Sequence, residues 1–215
     1  SEVRKLAAQV LETCPRLEIR INSAGTAYAE RSETVDGFES TFAVNHLGSF
    51  LLTKLLMDRV IASAPARIVN TASTGHYQGH LDFEDLGYTK GRYSSFGAYA
   101  RSKLANVAFT IELGRRLEGK GVATISMHPG AVATNIWANV KPWQRPIIKV
   151  LGLFFISSEE GGGYLARLAI EPSLQTAKGL YVEKTQVKTP SKEARDPAVQ
   201  AKLWEVSEAM VAAKV

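Results

Sequence analysis

Apolar positions along the chain follow two alternating rhythms. Val3, Leu6, Ala7, Val10 and Leu11 fall at helical spacing, which predicts a helix over 1–13 that Pro15 stops. LEIRIN at 17–22 reads as a short strand leaving through SAG. A long helical stretch is predicted from Thr34 to about Ser63, with Thr34 as cap and Asp36 and Glu39 in the first turns. ARIVNTAS at 66–73 predicts a second strand, followed by a loop over 74–95. An amphipathic helix over 96–119 closes at Gly119, and GVATISMHPG at 121–130 gives a third strand ending in Pro-Gly. Helices near 158–170 and 197–213 and a strand at 179–183 complete the pattern, and the charged segment 184–196 reads as a solvated loop. Alternating helices and strands predict an α/β domain with a parallel sheet. Ligands of such sheets sit beyond the carboxyl ends of the strands, where SAG, Ser73 and Pro129-Gly130 fall.

Composition supports one globular domain over 1–215: 45% hydrophobic and 22% charged residues. A single cysteine, Cys14, excludes an internal disulfide framework and a CxxC metal site, and favours a reducing compartment. The net charge of +5 comes from scattered lysines and arginines, with no basic stripe interleaved with aromatics, so no nucleic-acid partner is expected. The most apolar run, VLGLFFI at 150–156, is far short of the roughly 20 residues a spanning helix needs. No signal-peptide pattern opens the chain.

Candidate chemistry centres on AYARSKL at 98–104. Tyr99 and Lys103 stand four apart on one helix, so they share a face. A phenol titrates near pH 10, and a neighbouring ammonium favours its ionised form, which is how a tyrosine becomes an acid-base group. The bland alternative is a solvated lysine beside a half-buried tyrosine. Ser73 ends a buried-looking strand and is either a turn former or a donor to a substrate oxygen. Asn45 is a poor residue inside a helix; it is either an exposed tolerated position, or a local distortion or water-holding relay. His46 reads as a packing residue, and His76, His80 and His128 are too dispersed for a metal site.

Taken together, NSAG at 22–25, VNHLGSFLLTKLL at 44–56, SAPARIVNTAS at 63–73, AYARSKLANVAFTIELGRRL at 98–117 and MHPGAVAT at 127–134 resemble the short-chain dehydrogenase/reductase family. The similarity is greatest to its retinol dehydrogenase and WW-domain-oxidoreductase branch. It implies a Rossmann-type fold and NAD(P)-dependent interconversion of an alcohol and a ketone or aldehyde, with an apolar retinoid-, steroid- or lipid-like substrate and NADP slightly favoured over NAD. Residue by residue, it implies Tyr99 as acid-base, Lys103 lowering the Tyr99 pKa and binding the nicotinamide ribose, Ser73 orienting the reacting oxygen and Asn45 holding a relay water. Asn22, Ala24 and Gly25 would line the cofactor side of the first strand, and Pro129, Gly130 and Thr134 its nicotinamide end. Residues of about 135–157, with Trp137 and Phe154, would form a substrate lid; a core or oligomer-facing helix is the alternative.

The departures are as informative. No TGxxxGxG follows a strand and opens a helix, so the phosphate cradle of the family is absent from these residues. The expectation is a partial domain that lacks the first βαβ units, roughly 60–80 residues, and is inactive alone. Its strand at 17–22 should then be an exposed edge prone to self-association. Arg20 stands where the family usually has an aliphatic residue; a carboxylate partner, Glu18 or a neighbour's, is one reading and a sequence error the other. Ala72 and Ser23 replace a usual serine and a usual asparagine. A non-catalytic family member acting as a binding or regulatory protein is the alternative reading. A homo-oligomer is possible from the family's habits, and the expected location is cytoplasmic, or an intracellular membrane surface should an anchor precede these residues.

Overall fold

The computed structural model describes residues 2–130 and 156–213. Five strands form one sheet in sequence order: β1 Ile19–Asn22, β2 Ala66–Thr71, β3 Val122–His128, β4 Lys178–Glu183 and β5 Gln186–Val187. The first four are parallel, as expected, while β5 turns back antiparallel on β4. The segment predicted as a solvated loop therefore contains a short strand, and a further turn at Glu193–Arg195 buries Ala194 completely.

Helices α1 Glu2–Thr13, α2 Gly48–Ala62, α3 Ser95–Arg116, α4 Ser158–Ile170 and α5 Pro197–Ala212 cover the sheet. Side chains alternate along β2: Ile68 enters the core shared with α3 and α5, and its neighbour Val69 enters the one shared with α4. The helices therefore lie on both faces. Helix α3 lies flat on the sheet because glycines allow it. Gly179 has φ +70, and a Cβ there would stand 2.5 Å from Ile111 Cα.

The helix predicted from Thr34 begins instead at Ser40. Gly37, at φ 80, turns the chain before it, so the helix cannot run through. Glu39 is the cap, its carboxylate accepting from the backbone of Thr41 at 2.8 Å and Phe42 at 2.7 Å. An α-turn, Ser40–Phe42, leads into a π-helical turn, Ala43–Leu47, before α2. Such one-turn widenings are rare and cluster at functional sites.

Strand β1 pairs with β2 alone among the described strands and is the sheet edge, as expected. Its polarity is inverted. Ile19 and Ile21 are 42% and 39% exposed, and Arg20 is 6% exposed. Arg20 faces α2, bonding the Thr53 hydroxyl and, at 3.5 Å, the Ser49 carbonyl. The expected carboxylate partner is not found among the described residues, and Glu18 pairs with Arg16 instead.

Candidate active site

The carboxyl end of β2 leads directly to Ser73, which caps the 3-10 turn Thr74–Gln78 in extended conformation. The Ser73 oxygen accepts from the Gly75 N–H at 3.1 Å, and its hydroxyl is also hydrogen-bonded to the Tyr99 phenol. Helix α3 brings Tyr99 to this turn. A Cβ placed on Gly75 would lie 3.4 Å from Ser73 Oγ and 3.5 Å from Tyr99 Cε1, which shows how closely the two approach. One helical turn on, Lys103 Nζ lies 5.6 Å from the centroid of the Tyr99 ring.

Burial pushes the Tyr99 phenol above its ordinary pKa, and the hydrogen bond from Ser73 opposes that rise. The expected lowering by Lys103 is not among these causes; its Nζ lies over the ring, 5.6 Å from the centroid. Lys103 is itself buried, and desolvation brings its ammonium down to about 8. Among the described residues, its one acceptor is the Thr71 carbonyl at 3.2 Å.

Asn45 lies at the centre of the π-turn and is completely buried, not exposed. Its amide clamps the loop after β1. The oxygen accepts from Thr26 N–H at 2.7 Å, and the nitrogen donates to the Thr26 carbonyl at 2.9 Å and to Ser102 Oγ at 2.8 Å. Both amide hydrogens are thereby engaged within the protein. Its main-chain carbonyl accepts from Asn106 Nδ2 at 3.0 Å. The same nitrogen reaches the Thr71 carbonyl at 3.3 Å, the acceptor that Lys103 uses.

Behind this layer, His46 packs among Phe42, Phe50 and Phe109, as a packing residue should. Its ring nitrogens meet Asn106 Oδ1 at 3.3 Å and Ser207 Oγ at 2.8 Å, and burial brings it down to about 4. Asn106, Ser102 and Ser207 were not singled out from the sequence. The available signal was polarity three residues beyond Lys103 and Tyr99 on a helix face that is otherwise apolar.

The cofactor-side residues are distributed as follows. Asn22 donates to Asn70 Oδ1 at 2.6 Å and so braces β1 against β2. Ala24 and Gly25 are exposed. A Cβ on Gly25 would stand 3.3 Å from Lys103 Nζ and 3.6 Å from Asn45 Oδ1, so the loop passes directly over the lysine. Pro129 and Gly130 follow β3, with Gly130 at φ +107. Thr134 and most of the lid segment, 135–155, lie outside the described residues. No group of metal ligands occurs among the described residues.

A serine hydroxyl, a phenol and a buried ammonium thus converge at the carboxyl ends of a parallel sheet. The family model for short chain dehydrogenases matches residues 1–145. The chain belongs to this family. It is 39% identical over 214 residues to human retinol dehydrogenase 13, covering 97% of this chain and 65% of that protein. With mouse retinol dehydrogenase 14 it shares 40% identity over 212 residues, covering 97% and 63%. The chain therefore spans just under two thirds of the length of these curated relatives. Among solved structures, an uncharacterised protein of Mycobacterium paratuberculosis superposes with a TM-score of 0.68 at 30% identity, over 98% of this chain and 71% of that one. The NADPH-bound carbonyl reductase from chicken fatty liver shares the fold, with a TM-score of 0.62 at 20% identity over 87% and 72%.

A nicotinamide dinucleotide, the group that short-chain dehydrogenases use, fits the residues present at this end of the sheet. Lys103 holds a buried ammonium with three hydrogens and, among the described residues, one acceptor, and side-chain-free Gly25 lies against it. Among the described residues, no helix is long and apolar enough to cross a membrane.

Proposed function

We propose that this chain is the catalytic part of an NAD(P)-dependent oxidoreductase that interconverts an alcohol and an aldehyde or ketone. The observation that carries the reading is the approach of Ser73, Tyr99 and the buried Lys103 at one strand end. A bound nicotinamide dinucleotide would supply or accept the hydride at the substrate carbon. In the reductive direction Ser73 donates a hydrogen bond to the carbonyl oxygen and orients it. Tyr99 delivers its proton to that oxygen as the alcohol forms, and the raised pKa keeps the phenol protonated beforehand. In the oxidative direction the phenolate takes the proton back.

Lys103 is assigned to the nicotinamide ribose hydroxyls, with Gly25, Ala24, Pro129, Gly130 and Thr134 bordering the dinucleotide. Asn45 holds the loop over Lys103, and a relay through this residue would run by its main-chain carbonyl, since its amide is engaged. The substrate is assigned as an apolar carbonyl of retinoid type, supported by the retinol dehydrogenase relatives. The cofactor is NADP or NAD, with NADP slightly favoured by the family resemblance. The residues act as one domain with a lid over about 135–157. The cytoplasmic compartment and a homo-oligomeric state are parts of the same proposal.

The test is Lys103→Met in the full-length protein, with NADPH and NADH titrated by fluorescence and retinaldehyde as the turnover probe. The variant should bind NADPH at least tenfold more weakly and turn over slowly. It should also melt at a higher temperature, because burying an ammonium brought from 10.5 to about 8 costs at most about 3 kcal/mol at neutral pH. Unchanged affinity and turnover would remove Lys103 from the site.

A further inference from the structure

His76 is completely buried three residues after Ser73, and the reaction as proposed does not use it. Its ring lies between two main-chain groups of fixed polarity. Nδ1 stands 2.7 Å from the Ser73 carbonyl, which can only accept. Nε2 receives the Ser191 N–H at 3.2 Å, which can only donate. These partners determine the tautomer: His76 is neutral, protonated on Nδ1, with its lone pair on Nε2. Burial favours the same neutral form. The backbone N–H of His76 adds a second bond to the same Ser73 carbonyl at 3.0 Å.

The ring is also held by two aromatic neighbours. Tyr77 packs against it at a tilt of 38° with centroids 4.0 Å apart, and Tyr181 meets it edge-on at 4.7 Å. Their hydroxyls lie 3.2 Å and 3.1 Å from Glu183 Oε1 at the end of β4. Tyr77 also donates to the Thr189 carbonyl at 2.9 Å. The turn that carries Ser73 is therefore tied, through one imidazole, to the segment beyond the β4–β5 hairpin.

We propose that His76 is a positioning residue: it fixes the Ser73 backbone so that the hydroxyl, already accepting from Gly75, is aimed at the reacting oxygen. This rests on the reading of Ser73 given above. A hydrogen-bonding group must be held within about 0.5 Å of its productive position, and a misplacement of about 1 Å costs roughly 100-fold in rate. Packing alone would be supplied by any ring of this size. The two nitrogens supply the direction.

The experiment is a double-mutant cycle in the full-length protein, with retinaldehyde and NADPH as probes. It measures kcat, NADPH affinity and melting temperature for His76→Phe, Ser73→Ala and the double variant. His76→Phe should lower kcat roughly 10- to 100-fold with NADPH affinity unchanged, and should lower it no further in the Ser73→Ala background. His76→Asn, whose amide N–H can reach the Ser73 carbonyl, should retain about a third of kcat or more. His76→Leu replaces the phenyl variant in the cycle if that variant does not fold. Equal losses in both backgrounds, an Asn variant as impaired as Phe, or no loss in kcat would each overturn the proposal. If Ser73→Ala itself leaves kcat unchanged, the Ser73 reading fails and the proposal falls with it.

Discussion

Two buried cations, Arg20 and Lys103, sit at opposite ends of the energetic argument. Both are buried, and desolvation brings Arg20 to about 10 and Lys103 to about 8. Lys103 lies beside the proposed chemistry, so its cost has a use. Arg20 has a hydroxyl and a carbonyl as partners and no carboxylate among the described residues. An isolated buried charge is expensive, and an apolar side chain of similar volume is often better tolerated. Arg20→Met should therefore stabilise the fold by about 1–2 kcal/mol, read as a higher denaturant midpoint with unchanged slope. A loss of stability would mean that the Thr53 and Ser49 bonds outweigh the desolvation.

At the scale of elements, β1 is an exposed edge of the sheet. Among the described residues it pairs on one side only, and its two isoleucines are partly exposed. Such edges invite pairing with another chain. Residues 1–215 prepared alone should self-associate, and Ile21→Lys should shift sedimentation toward monomer. A monomeric wild-type preparation would contradict this. The edge was legible in the sequence because residues 1–16 read as a helix and hold no glycine-rich turn after a strand. Ser73, Tyr99 and Lys103 were legible for a related reason: each is marked by local spacing or by the end of a strand. The helix start was misread at Thr34 because a positive-φ glycine and a glutamate cap, three to five residues on, overrode the apolar pattern. Asn45 was flagged as a distortion, and the π-turn is there. Its clamp on Thr26, however, joins loops that periodicity cannot connect. His46 meeting Ser207 and His76 meeting Ser191 are contacts across most of the chain, so no local pattern signals them.

Across the whole molecule, polar groups form a buried path from α5 to the carboxyl end of β2. Ser207 meets His46, His46 meets Asn106, and Asn106 holds the carbonyls of Asn45 and Thr71, the second of which receives Lys103. The apolar packing of α3 and α5 thus fixes the height of Lys103 and Tyr99 above the strand ends. Everything in this arrangement leads to one phenol able to exchange a proton with a substrate oxygen. The direct test is single-turnover reduction of retinaldehyde by the NADPH complex of the full-length protein, wild type against Tyr99→Phe, with NADPH binding followed in the same samples. The account predicts that the variant binds NADPH normally and transfers hydride roughly 100- to 10,000-fold more slowly. A Tyr99→Phe protein that reduces retinaldehyde at the wild-type rate would contradict it.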